Sequence, residues 1–180
     1  TDHMADYLFI TEPSAAQNLK KEGVKKEKIL FVGNVMIDTL LKYKKKVLEP
    51  SFIKKSGLEP KSYGVLTLHR PENIEEKAVF EEILGALEEI QKQIKIIWPV
   101  HPRAQKQLKD FDFLRKVKRM ENLKLITPLG YLEMLALISQ SRLVLTDSGG
   151  LQEETTILNI PIFLYPNFFN ERFGKIRKIC

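Results

Sequence analysis

RLVLTDSGGLQEE, Arg142 to Glu154, reads as a strand, a tight turn and the start of a helix, and that order decides the fold class. The apolar run before Thr146 suits a buried strand, and Leu151 to Leu158 carries helical period beyond the turn. Gly149 and Gly150 lack Cβ, so the backbone there can turn sharply and lie close to a ligand. Unpaired N–H groups and the helix dipole then favour an anion, which makes the turn a candidate phosphate site. The same letters serve a helix capped by Asp147 or Ser148, and the turn alone leaves these two readings level.

Outward from this unit the alternation repeats. Strands are predicted at Tyr63 to Leu68, Ile94 to Val100, Leu123 to Ile126, Arg142 to Leu145 and Pro161 to Leu164. Between them fall a long helix over Glu75 to Lys92, a helical region opening at Arg103 to Leu108, and helices over Tyr131 to Ser139 and Leu151 to Leu158. Strands rich in Val, Ile and Leu, alternating with helices, predict an α/β fold: a parallel sheet with helices on both faces. Earlier in the chain, strands at Tyr7 to Ile10 and Ile29 to Val32 alternate with helices from Pro13 to Glu22 and Val35 to Lys46. The stretch Leu48 to Lys61, with Pro50, Gly57 and Pro60, is the most linker-like, so two units are expected, 1–47 and 48–180.

Composition bounds the function. With 180 residues, 43% hydrophobic and 29% charged, the chain is long enough for a sizeable core and reads as globular. No run approaches the eighteen or so apolar residues of a membrane span. The opening TDHMADYLFI lacks a basic region followed by a long apolar stretch, so a cytoplasmic location and no membrane partner are expected. The net charge of +6 comes from lysines scattered in segments such as KKEGVKKEK and in the cluster Lys42, Lys44, Lys45 and Lys46. Without interleaved aromatics these are solvated faces, and no nucleic-acid partner is expected. The single cysteine, Cys180, makes no internal disulfide and no thiolate metal site.

Ligands of open parallel sheets sit beyond the carboxyl ends of the strands, near the point where strand order reverses. There the chain places its unusual polar residues: HRPEN, His69 to Asn73; His101 after IIWPV; and Asp147 to Gly150. His69 suits proton transfer or a hydrogen bond to a phosphate or leaving group; the plain alternative is a helix cap or a bond to a backbone carbonyl. His101 has the same alternatives. Arg70 offers a fork of donors to phosphate, with Glu72 near enough to be a structural partner instead. Asn73 is a plausible N-cap for a helix beginning at Ile74. Glu153 and Glu154 stand in a first helical turn, where the dipole favours negative charge; a carboxylate one turn past a phosphate site also accepts ribose hydroxyl protons. Nothing offers metal-ligand spacing, and neither a metal nor another cofactor is expected.

TLHRPEN, WPVH, PLGYLEML and TDSGGLQEE, in this order and spacing, resemble the non-hydrolysing UDP-N-acetylglucosamine 2-epimerases, as do TDHMADYLFITEPSAAQNL and FVGNVMIDTL. The likeness runs to about Pro161. It implies a GT-B type fold of two Rossmann-like domains, with 1–47 as the last elements of the first domain and linker and 48–180 as the C-terminal UDP-binding domain. The implied reaction interconverts UDP-N-acetylglucosamine and UDP-N-acetylmannosamine: UDP is eliminated to leave a glucal, then added back after carbon 2 is reprotonated on the other face. His69 matches the catalytic histidine of the family's HRxEN motif, and His101 a nucleotide-sugar or effector contact. Arg70 is carried with the substrate-binding set. Ser148, Gly149 and Gly150 match the diphosphate turn and Glu154 the ribose-holding glutamate.

The chain departs from the family pattern in three places. The length before Thr1 that would carry the acidic residues for the carbon 2 proton is not in this sequence. Met134 stands where the family usually has an aromatic beside the uracil, with Tyr131 near. After Ile162 the family continues with an arginine and TERPE; here the chain reads FLYPNFFNERFGKIRKIC, with Glu171 and Arg172 as the echo and Phe173 in place of proline. A truncated or altered end after about 162 is therefore expected, with Phe168, Phe169 and Phe173 exposing apolar surface if undocked. The chain is expected to take a UDP-sugar, to be inactive alone and to form a homodimer at full length. A non-catalytic nucleotide-sugar binding module and a GT-B glycosyltransferase fragment are the alternatives.

Overall fold

The computed structural model describes residues 2–47 and 57–164. Most of the linker-like stretch and the tail holding Phe168, Phe169, Glu171, Arg172, Phe173 and Cys180 lie outside the described residues, as do the side chains of Lys45 and Lys46. Two compact units, Thr1–Tyr43 and Lys44–Cys180, divide the chain.

In the first unit, β1 (Leu8–Ile10) and β2 (Ile29–Phe31) pair in parallel. Helix α1 (Pro13–Lys21) starts on Pro13, whose missing N–H costs nothing in a first turn. Ile10, Leu19 and Val24 form its small core, with Leu8, Ala15, Ala16 and Ile29 against them. Helix α2 (Val35–Val47) follows and runs past the division at Tyr43.

The second unit holds the site. Its sheet comprises β3 (Tyr63–Thr67), β4 (Lys95–Pro99), β5 (Leu123–Ile126), β6 (Leu143–Thr146) and β7 (Ile162–Leu164), all parallel, in the order β5-β4-β3-β6-β7. The chain builds outward from β3 to β5, then crosses back to β6, so strand order reverses between β3 and β6. Their register sets Thr67 opposite Thr146 at the carboxyl ends, and these two hydroxyls hydrogen-bond.

Period-two alternation sorts the strand residues between two cores. Leu66, Leu68, Ile96, Trp98 and Leu145 face one core, which helices α4 (Lys77–Ile90), α5 (Pro102–Asp110) and α6 (Leu114–Lys118) complete. Tyr63, Val65, Ile97 and Val144 face the other, under α7 (Tyr131–Ser139) and α8 (Gly150–Leu158). Gly64 keeps the first core closed: a Cβ there would lie 2.9 Å from Leu143 Cδ1 and 3.0 Å from Ile96 Cδ1. Helix α7 is anchored from below, since the buried Tyr63 hydroxyl donates to Leu137 O at 2.8 Å and Lys61 Nζ donates to Ser139 O and Ser141 O. Burial lowers the pKa of that lysine.

Two expectations are corrected. The helix expected over Glu75 to Lys92 is α4, Lys77–Ile90, and a short helix not expected from the sequence, α3 (Pro71–Ile74), precedes it, separated by the extended Glu76 at φ −89° and ψ 115°. Asn73 lies inside α3, 3% exposed, and does not cap it; Arg70 occupies the N-cap position.

Candidate functional site

The carboxyl ends of β3 and β6 converge on Asp147. Its side chain is fully buried and accepts hydrogen bonds from three donors. Oδ2 takes the backbone N–H of His69 at 3.0 Å, that of Arg70 at 2.8 Å and the Asn73 amide at 3.1 Å. Oδ1 lies 2.6 Å from His69 Nδ1 and 3.3 Å from His69 N. The segment HRPEN is thus folded around one carboxylate across the switch point. Asp147 does not cap α8, and strand parity explains why. Two residues after Leu145, it points into the α3–α4 side of the sheet, whereas α8 packs on the opposite face. Ser148 is not the cap either: Gly149 is, with no side-chain cap bond, and the Ser148 N–H donates to Thr146 Oγ1 at 3.0 Å.

Between these strand ends, the end of β4 and the first turns of α7 and α8 lies an open cavity of about 380 Å³. His69, His101, Tyr131, Met134, Ser148 and Glu154 are among its lining residues. Of the sequence-predicted set, the cavity therefore unites His69, His101, Ser148 and Glu154. Gly149 and Gly150 follow Ser148 directly, at the N-terminus of α8. The Arg70 side chain is not part of the lining; its Nη1 lies 3.6 Å from Glu72 Oε1, so its partner here is the neighbouring glutamate. His101 caps α5, its Nδ1 accepting from the Arg103 N–H at 3.2 Å, and lines the cavity as well.

Glu154 is 4% exposed, and the Tyr131 hydroxyl donates to its Oε1 at 3.1 Å. Burial raises the pKa of the carboxyl, the tyrosine hydrogen bond works against that rise, and neighbouring Glu153 adds to it. Tyr131 is pushed up to about 12 by burial and by the charge and hydrogen bond of Glu154. The sequence marks Tyr131 only as a neighbour of Met134; both line the cavity, and Tyr131 also holds the glutamate.

Gly149 has an ordinary helical conformation, φ −65° and ψ −37°. A Cβ placed on it would meet one side-chain atom, Gln152 Nε2, at 3.8 Å. Neither backbone strain nor packing within the described residues calls for glycine at this position. Close approach of something outside the chain would.

Among the described residues no cluster of three acidic, histidine or cysteine side chains suits a metal ion, and no helix is long and apolar enough to cross a membrane.

The family model described as UDP-N-acetylglucosamine 2-epimerase matches residues 1–165. The UDP-N-acetylglucosamine 2-epimerase of Methanococcus maripaludis is 40% identical over 168 residues, 89% of this chain and 45% of the relative. The UDP-2,3-diacetamido-2,3-dideoxy-D-glucuronate 2-epimerase of Pseudomonas aeruginosa is 36% identical over 165 residues, 89% of this chain and 44% of the relative. Among solved structures, Methanocaldococcus jannaschii UDP-GlcNAc 2-epimerase in complex with UDP-GlcNAc and UDP superposes with a TM-score of 0.81 at 36% identity, covering 93% of this chain and 49% of that one. The chain spans about half the length of these relatives, and its sheet is part of their GT-B type architecture. It belongs to the UDP-N-acetylglucosamine 2-epimerase family.

Proposed function

We propose that this member of the family is the UDP-binding half of an enzyme that interconverts UDP-N-acetylglucosamine and UDP-N-acetylmannosamine. The observation that carries the reading is the turn at Ser148 to Gly150. A glycine that nothing among the described residues requires opens α8 beside the cavity, where backbone N–H groups and the helix dipole attract a diphosphate. One turn on, Glu154 offers a carboxylate to the ribose hydroxyls, with Tyr131 steadying one oxygen. Met134 and Tyr131 supply the apolar wall for the base.

His69 is the proposed catalytic group. With Nδ1 tied to Asp147, Nε2 is the nitrogen left to exchange a proton with the diphosphate. As the imidazolium it donates to a phosphate oxygen while the C1–O bond breaks; as the neutral base it takes that proton back when UDP returns. The carbon 2 proton needs a separate acid and base held on the sugar. In this reading His101 contacts the nucleotide sugar or an effector, and Arg70 joins the substrate only by leaving Glu72. The cytoplasmic location and the full-length homodimer belong to the same reading.

Calorimetric titration of UDP into the 180-residue chain tests it. Saturable binding is expected, abolished by Glu154→Ala and by Gly149→Ala, with no epimerisation of either UDP-sugar by the chain alone. The proposal fails if the folded chain does not bind UDP, or if Gly149→Ala binds it as the parent does.

A further inference from the structure

We infer that Asp147 is a positioning residue for the reaction: it fixes the neutral imidazole of His69 as the Nδ1–H tautomer, leaving the Nε2 lone pair as the ring's open acceptor on the cavity. The inference deepens the proposed function and rests on His69 being its catalytic group.

Asp147 is surrounded by donors. Three of them, His69 N, Arg70 N and Asn73 Nδ2, converge on Oδ2, so that oxygen is fully committed. Oδ1 sits 2.6 Å from His69 Nδ1, a separation at which two bare lone pairs would repel and a shared proton binds. The proton on the neutral ring therefore stands at Nδ1. The His69 side chain is half exposed and lines the cavity, whereas the Asp147 side chain has no exposure. The carboxylate also lies where it stabilises the imidazolium formed when Nε2 takes up a proton. His101 supplies an internal contrast, because its Nδ1 accepts a backbone N–H and its neutral proton must sit on Nε2.

Asp147→Asn separates positioning from support. The variant keeps the shape of the side chain and offers one acceptor. Three donors hold that carbonyl oxygen in the Oδ2 place, so the new amide turns its N–H groups to His69 Nδ1. Nδ1 must then accept, and the ring proton moves to Nε2.

The experiment is long-range proton–nitrogen correlation NMR on the chain labelled with nitrogen-15 in its three histidines, at alkaline pH, with His69→Gln identifying the His69 signals. The parent chain is expected to show protonated Nδ1 at His69 and protonated Nε2 at His101; Asp147→Asn is expected to move the His69 proton to Nε2 and leave His101 unchanged. Protonated Nε2 at His69 in the parent, or an unmoved proton in Asp147→Asn, overturns the inference. If Asp147→Asn does not fold, the parent assignment decides, together with Asn73→Ala, which removes only an Oδ2 donor and must leave the tautomer in place. In a two-domain enzyme carrying these residues, Asp147→Asn should lower kcat by about a thousandfold or more with KM changed by less than about threefold. Parallel loss in both would make Asp147 merely structural. The tautomer is read without ligand, so absence of UDP binding would sink the proposed function and leave this result distinct from it.

Discussion

His69 and His101 each follow a buried parallel strand and each line the same cavity, yet the chain holds them in opposite ways. At the end of β3, a buried carboxylate just past β6 lies 2.6 Å from His69 Nδ1, where we place the ring proton, and gathers the surrounding backbone N–H groups. At the end of β4, an exposed imidazole lends its Nδ1 lone pair to one N–H of its own helix. The first arrangement spans the strand reversal and ties together residues far apart in sequence; the second is local. A histidine at a strand end thus acquires its proton placement from its partner rather than from its position.

The sharpest way to break the contrast is to remove the partners. Asp147→Ala leaves three N–H donors and a histidine nitrogen without their acceptor in a buried place, and should cost about 3–5 kcal/mol in urea unfolding. His101→Ala removes a single exposed cap bond and should cost about 1 kcal/mol or less by the same measurement. Equal losses would abolish the distinction between a hub and a cap.

The smallest effect concerns Glu154, on α8. Its folded-state pKa is raised above the usual 4.5, so between the unfolded and folded values the native chain binds more protons than the unfolded one. Stability from this group is therefore present at acid pH and declines as pH rises through that window. Glu154→Gln, which cannot ionise, should flatten this part of the stability–pH profile, and Tyr131→Phe should extend the decline to higher pH by removing the bond that favours the ionised form. Urea midpoints measured across the acid range would show both; an unchanged slope in Glu154→Gln would contradict the sign.

The parallel sheet was legible because both of its faces are covered, which makes β3, β4 and β6 near-continuous apolar runs punctuated by polar ends. The short helix α3 was less so: its Asn73 donates to Asp147, a contact between residues 74 positions apart that no local period reveals. The role of Asp147 itself was hidden by its neighbours, since Asp-Ser-Gly-Gly before a helix is what a cap also looks like. Counting parity from Leu145 was the available signal, for it sends Asp147 to the face away from α8. Glu154 stood out by its distance from the glycines, while its partner Tyr131 came from a different helix and carried no mark of the pairing.

The unstrained backbone at Gly149 has a consequence for how variants of this chain are judged. Because alanine fits there and restricts the unfolded chain, Gly149→Ala should melt no earlier than the parent, and later by roughly 0.5 kcal/mol of added stability. A library sorted by expression or thermal resistance would enrich that substitution and carry it forward as an improvement. Sequence space at this position is wide for a protein that has only to fold and narrow for one that has to hold a nucleotide, so only selection on the ligand would reveal the difference.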